Sequence, residues 1–293
     1  MNSNAKSYLY LHLAVFLFGF TGILGQVISV SAGVLILYRC LLSSLIMIPL
    51  LIYFKSLSGF DKKSYLQFSG IGIILGLHWL CFYGSIKLSN ASVAMICLST
   101  ISVMTVFFEA LFNKRKINRQ DLLIGFLVIP GILLIHQSLK SDFKLGFWVG
   151  ILCSVFSAIV ASLNKKYINS GNSIAISWIE ITIVALLFSV SIPVLSAFGY
   201  LEFIQPSQSD WIYLLILSLF CTVIPLTLSV KSMRQLSAFS AMLVFNLETV
   251  YGIILSMVIL KEYKDLNWMF YLGVIIILTS VFAHPFLRKV QDK

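Results

Sequence analysis

Four ionisable residues stand inside long apolar runs of this sequence: Arg39, Glu109, Glu180 and Glu248. A charge near the centre of a membrane-spanning helix costs about 2.5 to 3.5 kcal/mol even on lenient insertion scales. Arg39 keeps its proton at any working pH, and its planar guanidinium can hold a carboxylate through two parallel hydrogen bonds. We therefore predict that Arg39 binds an anionic group of a substrate. An ion pair with a membrane glutamate, or a contact with lipid head groups, is the alternative.

Glu248 and Glu180 are candidates for carrying a proton. Glu248 lies near the middle of its apolar run, where the loss of water favours the neutral acid. Small and polar residues recur every four positions around it, from Ser240 to Ser256, as on a helix face that meets another helix or a cavity. Glu180 stands in the second half of the chain roughly where Arg39 stands in the first half. We predict that both glutamates are coupling groups; helix packing is the alternative for each.

Uncharged polar and aromatic side chains add candidates for substrate binding. Gln26 lies near the end of the first apolar run, on the same predicted helix face as Gly19. Trp79 and Tyr83 share one face of the third run, and His78 is adjacent. We predict that these polar and aromatic side chains bind the substrate. Helix packing is the alternative for Gln26, and a lipid-facing aromatic belt is the alternative for the aromatic residues.

The elements that must position these residues are helices in a lipid bilayer. Of 293 residues, 59% are apolar and 11% are charged, and the mean hydropathy is +0.97. A soluble domain carries about 25% charged residues, so this composition excludes a soluble enzyme, a disordered chain and a fibrous protein. At about 20 residues per crossing, the chain has room for ten spans. The apolar runs place them at residues 8–28, 33–54, 65–86, 91–113, 121–138, 145–167, 174–198, 211–230, 237–260 and 266–287.

Basic residues are concentrated in the short segments between the apolar runs. The 21 lysines and arginines outnumber the 11 aspartates and glutamates, and most of them fall on the same side as the two termini. Positively charged connections remain in the cytoplasm. We therefore predict a multi-pass protein of the cytoplasmic cell membrane with both termini cytoplasmic. The positive charge then faces anionic lipid head groups, and a nucleic-acid partner is not expected.

Ten spans divide into two sets of five, and an odd number in each set inserts the second set upside down. A shift of 147 residues superposes similar side chains at the start of two spans, after similar short turns. We predict an all-α integral membrane protein with ten transmembrane helices in two inverted five-helix repeats, residues 1–140 and 141–293. The shift places Lys87, Ala91, Ala94, Met95, Val103 and Lys114 over Arg234, Ala238, Ala241, Met242, Val250 and Lys261.

Several motifs carry a resemblance to a known family. They are Tyr38-Arg39-Cys40-Leu41-Leu42, the stretch from Tyr83 to Met95, Arg234-Gln235-Leu236-Ser237-Ala238, Asn246-Leu247-Glu248-Thr249-Val250 and Leu260-Lys261-Glu262. With them the whole chain resembles the drug/metabolite transporter (DMT) superfamily in its EamA-like ten-helix branch.

The resemblance implies a secondary transporter that exports small organic metabolites, such as amino acids, by alternating access. Asn246 belongs to the same motif as Glu248, and we predict that both bind the substrate. Two departures from the family pattern concern gating. Thr249 stands where proline is common, and Lys114 and Arg115 stand where the first repeat usually has Gly-Glu.

Other functions have less support in the sequence. No glycine-rich loop followed by Lys and Ser or Thr is present for ATP, and the histidines and cysteines are scattered singly, so we expect no cofactor and no metal site. No nucleophile and base form a catalytic pattern, so we expect no enzyme. A flippase for lipids or lipid carriers is the main alternative, ahead of a membrane-embedded enzyme or a passive channel. The expected partners are a small-molecule substrate, membrane lipid, and protons as the coupling ion.

Overall fold

The computed structural model describes residues 3–57, 60–114, 117, 119–200, 203–236 and 238–289, and this part of the chain is helical with no strand. We number the α-helices in chain order. They are α1 (Ser3–Phe18), α2 (Thr21–Val27), α3 (Ala32–Tyr53), α4 (Lys62–Leu88), α5 (Ala91–Leu98), α6 (Ile101–Asn113), α7 (Arg119–Ser138), α8 (Lys144–Tyr167), α9 (Ser173–Ala197), α10 (Gln208–Ser218), α11 (Ile224–Ser232), α12 (Ala238–Leu255) and α13 (Trp268–Lys289). The predicted all-α class is confirmed for the described residues.

The helical segments agree with a protein that crosses a membrane several times. Within the described residues, seven segments are long and apolar enough to span a bilayer. Shorter apolar helices occupy the places of the fifth, ninth and tenth predicted spans, at Val128–Ser138, Val244–Leu260 and Trp268–Ser280. By length and composition these helices fit a multi-pass membrane protein, and the count of ten crossings stays a prediction. The seven segments are Ala5–Val27, Ala32–Tyr53, Lys62–Leu88, Ala91–Asn113, Ser141–Ser170, Ser173–Ala197 and Gln208–Ser232.

Several of these spans are interrupted by local changes of helix geometry. The first span breaks between α1 and α2, where the Thr21 hydroxyl donates to the carbonyl oxygen of Phe18 at 2.6 Å. The break between α5 and α6 is bridged in the same way, since Thr100 Oγ1 donates to the Cys97 carbonyl at 2.8 Å. Such hydroxyl groups satisfy carbonyls that a broken helix would leave bare in lipid. Between α10 and α11 a π-helical turn at Leu219–Val223 precedes Pro225.

The helices of the first half, α1–α7, pack against those of the second half, α8–α13. When each helix is replaced by its counterpart in the other half, one helix–helix contact corresponds to another. α4 packs on α8, and α11 packs on α1; α4 also packs on α9, and α10 packs on α3. Three further contacts each join a helix to the corresponding helix of the other half. They are α3 with α9, α7 with α13, and α12 with α5 and α6. Each of these contacts therefore has an equivalent made by the corresponding helices of the other half.

The contact between α7 and α13 is reciprocal at the level of single residues. A Cβ atom placed on Gly131 would lie 3.0 Å from the carbonyl oxygen of Gly273, and one placed on Gly273 would lie 2.9 Å from that of Gly131. Neither position can take a larger residue without separating the two backbones. Small residues at such crossings let membrane helices approach closely.

Two lysines adopt the left-handed backbone conformation at equivalent helix ends. Lys114 has φ of 52° at the end of α6, and Lys261 has φ of 57° at the end of the span that begins with α12. They are the same 147 residues apart as the sequence shift. A helix-end residue with a left-handed backbone is usually glycine. This preference explains the glycine of the Gly-Glu pair in the family that the sequence resembles, at the position where this chain has Lys114.

Candidate functional site

A cavity lies between the two halves and encloses about 840 Å³, counted with the open space at its mouth. Its wall is largely apolar and aromatic, with a few polar groups that could orient a ligand. The lining residues are Phe18, Thr21, Arg39, Leu75, His78, Trp79, Phe82, Leu98, Ile101, Ser157, Val160, Ala161, Asn164, Leu226, Ser229, Val230, Met233, Phe245 and Glu248.

The cavity is displaced toward the predicted cytoplasmic side. Asn164 is three residues from the end of α8, and Met233 directly follows α11, so the lining reaches within about 5 Å of those helix ends at 1.5 Å per residue. At the opposite side, Arg39 lies seven residues into α3, and Phe82 lies six residues before the end of α4. The lining therefore stops about 9 to 10 Å short of the predicted external face.

Arg39 lies at this blind end and is 1% exposed. Its Nε donates to Thr222 Oγ1 at 2.7 Å, one terminal nitrogen donates to the Tyr83 hydroxyl at 2.5 Å, and the other donates to the Cys221 carbonyl at 3.3 Å. The guanidinium carbon lies 4.2 Å from the centroid of the Trp79 ring. Three of the five N–H groups of arginine are thus committed to neutral acceptors.

No carboxylate pairs with Arg39 among the residues that the structure describes. The ion pair found there joins Lys140 to Asp265 at 2.7 Å, on the predicted external surface. A cation–π contact contributes about 0.5 to 2 kcal/mol, whereas removing a charge from water costs several kcal/mol. The buried guanidinium therefore retains a strong preference for an anion, and the cavity is where an anion can reach it.

Glu248 and His78 also line the cavity, together with Trp79. Glu248 is half-buried on α12. His78 on α4 has its Nδ1 atom 3.1 Å from the carbonyl oxygen of Cys153 on α8. The Sγ atom of Cys153 also lies 3.2 Å from His78 Nδ1. Arg39, His78, Trp79 and Glu248, which the sequence placed on three separate spans, are thus brought to one cavity.

Two carboxylates and a lysine hold together the helix ends on the predicted external side. Asp210, at the start of α10, accepts from Ser29 N at 2.8 Å and Ser29 Oγ at 2.6 Å, and it also caps its own helix through Ser207. Lys87 Nζ donates to the Ile28 carbonyl at 2.5 Å. These bonds tie the connection between α2 and α3 to α10 and α4. Sequence inspection did not single out Asp210, because its partner lies 181 residues away.

Glu262 makes the second external carboxylate contact. It is 5% exposed and accepts from Ala91 N at 3.0 Å, Ser92 N at 2.9 Å and Ser92 Oγ at 2.6 Å. A carboxylate at a helix N-terminus satisfies unpaired N–H groups and opposes the helix dipole. Glu262 therefore joins the end of the span that begins with α12 to the start of α5.

The predicted cytoplasmic end is held by basic side chains that donate to carbonyl groups. Lys165 Nζ donates to the Met233 carbonyl at 2.7 Å, which joins α8 to α11. Arg234 donates to the Gly171 carbonyl, between α8 and α9. The 147-residue shift superposes Lys87 and Arg234. Each of them donates to a carbonyl group in a connection between two helices, Lys87 between α2 and α3 and Arg234 between α8 and α9, and the two connections lie at opposite ends of the molecule.

Four predicted site residues lie outside the cavity wall. Gln26 is exposed near the end of α2, because the break after α1 turns the face that it was predicted to share with Gly19. Tyr83 is buried and bonds Arg39 instead of lining the space. Asn246 is buried and Nδ2 donates to Ser102 Oγ at 3.2 Å. Glu180 is fully buried on α9, and it is not among the hydrogen-bond partners of Arg39.

Thr249, which departs from the family pattern, bonds across the same interface as Asn246. Its Oγ1 donates to the Met95 carbonyl at 2.9 Å, so α12 is pinned to α5. Gly252 lies one turn further on, and a Cβ there would approach Met95 to 2.8 Å. Within the described residues, no three His, Cys, Asp or Glu side chains converge in a way that could hold a metal ion.

Comparisons with known proteins agree with this architecture. The model of the EamA-like transporter family matches residues 5–137 and again residues 144–283. A search of curated proteins by sequence finds no match. Among solved structures, 28 chains match. One crystal structure superposes on 96% of this chain and 98% of its own length with a TM-score of 0.70 at 12% sequence identity, a likeness of fold alone.

Proposed function

This chain belongs to the EamA-like transporter family, and on that premise we propose that it is a secondary transporter that exports small organic metabolites such as amino acids. Membership supports a multi-pass membrane transporter of small molecules. The observation that carries the finer proposal is Arg39, which is buried at the blind end of a cavity with no described carboxylate within 4 Å of it.

The substrate that fits this wall has an anionic group beside an apolar body. Two N–H groups of Arg39 have no partner among the described residues, and a carboxylate can accept from both. Glu248 provides a carboxyl group on the wall from α12, which suits a substrate amino group. Phe18, Phe82 and Phe245 offer apolar and aromatic surface. An amino acid in its zwitterionic form meets all three requirements.

Alternating access follows from two equivalent halves around one site. We propose that residues 1–140 and 141–293 are the two inverted repeats, with both termini in the cytoplasm of a cell whose cytoplasmic membrane holds the protein. The exchange of helix contacts between the halves, and the equivalent bonds of Lys87 and Arg234, support this symmetry. The cavity then faces the cytoplasm, and the Asp210 and Glu262 contacts close its external side.

Proton coupling through Glu248 belongs to the same proposal. Its carboxyl group faces the cavity within the membrane, where it can exchange a proton with either side in turn. A Glu248→Gln variant keeps an acceptor for the substrate amino group but cannot titrate, so it should still bind substrate, with lower affinity, yet lose the stimulation of export by a pH gradient. Full rate and unchanged pH dependence in that variant would remove Glu248 from the coupling role.

The proposal is tested by protection from toxic solutes. Cells expressing the protein are grown across a panel of inhibitory amino acids and metabolites, alongside cells expressing Arg39→Gln or the control variant Lys140→Gln. Lys140 is exposed and pairs with Asp265, far from the cavity. We expect protection against one or a few anionic or zwitterionic solutes, its loss in Arg39→Gln, and its retention in Lys140→Gln. Equal protection by the Arg39 variant would contradict the proposal.

A further inference from the structure

Glu180 is a buried carboxyl group that the cavity does not use. It is 0% exposed, and neither of its carboxyl oxygens has a hydrogen-bond partner. It lies seven residues into α9 from Ser173, about 10 Å from the predicted cytoplasmic end of that helix. A bare carboxylate at this depth would carry the full cost of lost hydration. The group therefore requires either a counter-charge or a proton.

Among the described residues, no cationic side chain forms an ion pair with Glu180. The helices α3, α4 and α11 pack on α9, and α8 approaches Glu180 through Asn164; cationic groups of these helices are engaged elsewhere. Arg39 of α3 bonds Tyr83 and Thr222, His78 of α4 bonds Cys153, Lys165 of α8 bonds Met233, and Lys231 of α11 stacks 4.7 Å from the centre of the Tyr10 ring.

Asn164 is the polar neighbour that connects Glu180 to the cavity. It is 2% exposed, its Oδ1 atom has no hydrogen-bond partner, and its side chain lies within interaction distance of the Glu180 carboxyl group. Asn164 also lines the cavity near its cytoplasmic mouth. One turn before Glu180 on the same face of α9, the buried hydroxyl of Ser177 likewise has no partner.

A proton on Glu180 gives two of these groups a partner. The hydroxyl of a neutral Glu180 can donate to the free Oδ1 of Asn164. We propose that Glu180 and Asn164 form a second proton site, separate from Glu248, in which Asn164 accepts the hydrogen bond of the protonated carboxyl group and water entering from the cytoplasmic mouth of the cavity takes up the proton and returns it. The use of that proton in coupled transport rests on the proposed function, whereas the existence of the site does not.

The site is tested on the full-length protein in liposomes with dicyclohexylcarbodiimide, which modifies protonated carboxyl groups in apolar surroundings. Peptide mass spectrometry should find the adduct on Glu180 at neutral pH, and Glu180→Gln should lose it. The matched variant Glu248→Gln should keep it. Absence of the adduct from Glu180 in wild-type protein would overturn the proposal, and so would protection by sodium ions at constant pH, since that result identifies a metal-cation site.

Infrared difference spectroscopy supplies a second measurement that does not depend on transport. A protonated Glu180 should give a carboxylic-acid C=O band that Glu180→Gln removes. Asn164→Leu, which keeps the volume but removes the acceptor, should move that band to higher frequency. A band that Asn164→Leu leaves in place would exclude Asn164 as the partner. If the growth panel shows no protection while the band and adduct are found, the proposed function fails and the proton site stands.

Discussion

Replacing Arg39 with lysine keeps the positive charge in the cavity but removes the planar guanidinium group, which can donate two parallel hydrogen bonds to a carboxylate. Three N–H groups of Arg39 are held by Thr222, Tyr83 and Cys221, which leaves two for a substrate carboxylate. A lysine ammonium has three N–H groups on a flexible stem, so it cannot keep these neutral contacts and also bind both carboxylate oxygens. The loss of one charge-assisted hydrogen bond to substrate costs about 1.5 to 3 kcal/mol. Affinity should therefore fall about 10- to 150-fold.

The assay is equilibrium binding of the amino acid that the growth panel identifies, measured by titration calorimetry on purified protein. Lys140→Arg, a change between the same two cations on the external surface, is the control and should bind as the wild type does. Size-exclusion profiles and unfolding temperatures show whether the variants are folded. Binding by Arg39→Lys within twofold of wild type would refute the assignment of Arg39 to the substrate carboxylate.

The remaining predictions concern packing, gating and helix ends. Gly72→Ala places a Cβ 2.9 Å from a backbone oxygen of α9 and should destabilise the protein by about 1 to 3 kcal/mol in denaturant unfolding, whereas Gly70→Ala meets nothing within 4 Å and should be neutral or stabilising; equal effects would contradict the α4–α9 packing. Asp210→Asn halves the acceptors that hold the predicted external connection. In a protein that has its five native cysteines replaced and carries Ser157→Cys on the cavity wall, thiol reagents added outside should therefore label the introduced cysteine faster than when Asp210 is kept. Unchanged labelling would remove this contact from the gate. Lys261 has a left-handed backbone conformation that glycine adopts without strain, so Lys261→Gly should raise the free energy of unfolding by up to about 1 kcal/mol. A lower free energy of unfolding would mean that the contacts of the lysine side chain outweigh the strain of its backbone. Glu262→Gln keeps the shape but removes the charge that caps α5, and should lower the unfolding temperature measurably; an unchanged temperature would show that the cap contributes little.

Much of this architecture could be predicted from the sequence because lipid imposes a simple rule. Apolar runs must become helices, so the described helices follow the predicted spans. Ionisable residues in such runs are costly, which is why Arg39 and Glu248 could be singled out before their surroundings were known. Both line the cavity, and His78 and Trp79 line it as well.

The rest depends on contacts that local pattern does not encode. The break after α1 turned Gln26 away from its predicted face, because a periodicity argument assumes a continuous helix. Asp210 and Glu262 are surface charges by sequence, yet their partners lie 181 and about 170 residues away in the chain. No sequence pattern indicated a role for Asn164, because only the packing of α8 places it between Glu180 and the cavity.

The most direct test of alternating access around a buried cationic site is counterflow in proteoliposomes. Labelled substrate outside should exchange faster when the vesicles contain unlabelled substrate, the rate should saturate, and Arg39→Gln should abolish the exchange. Flux that rises in proportion to concentration and is indifferent to substrate on the far side would contradict the account.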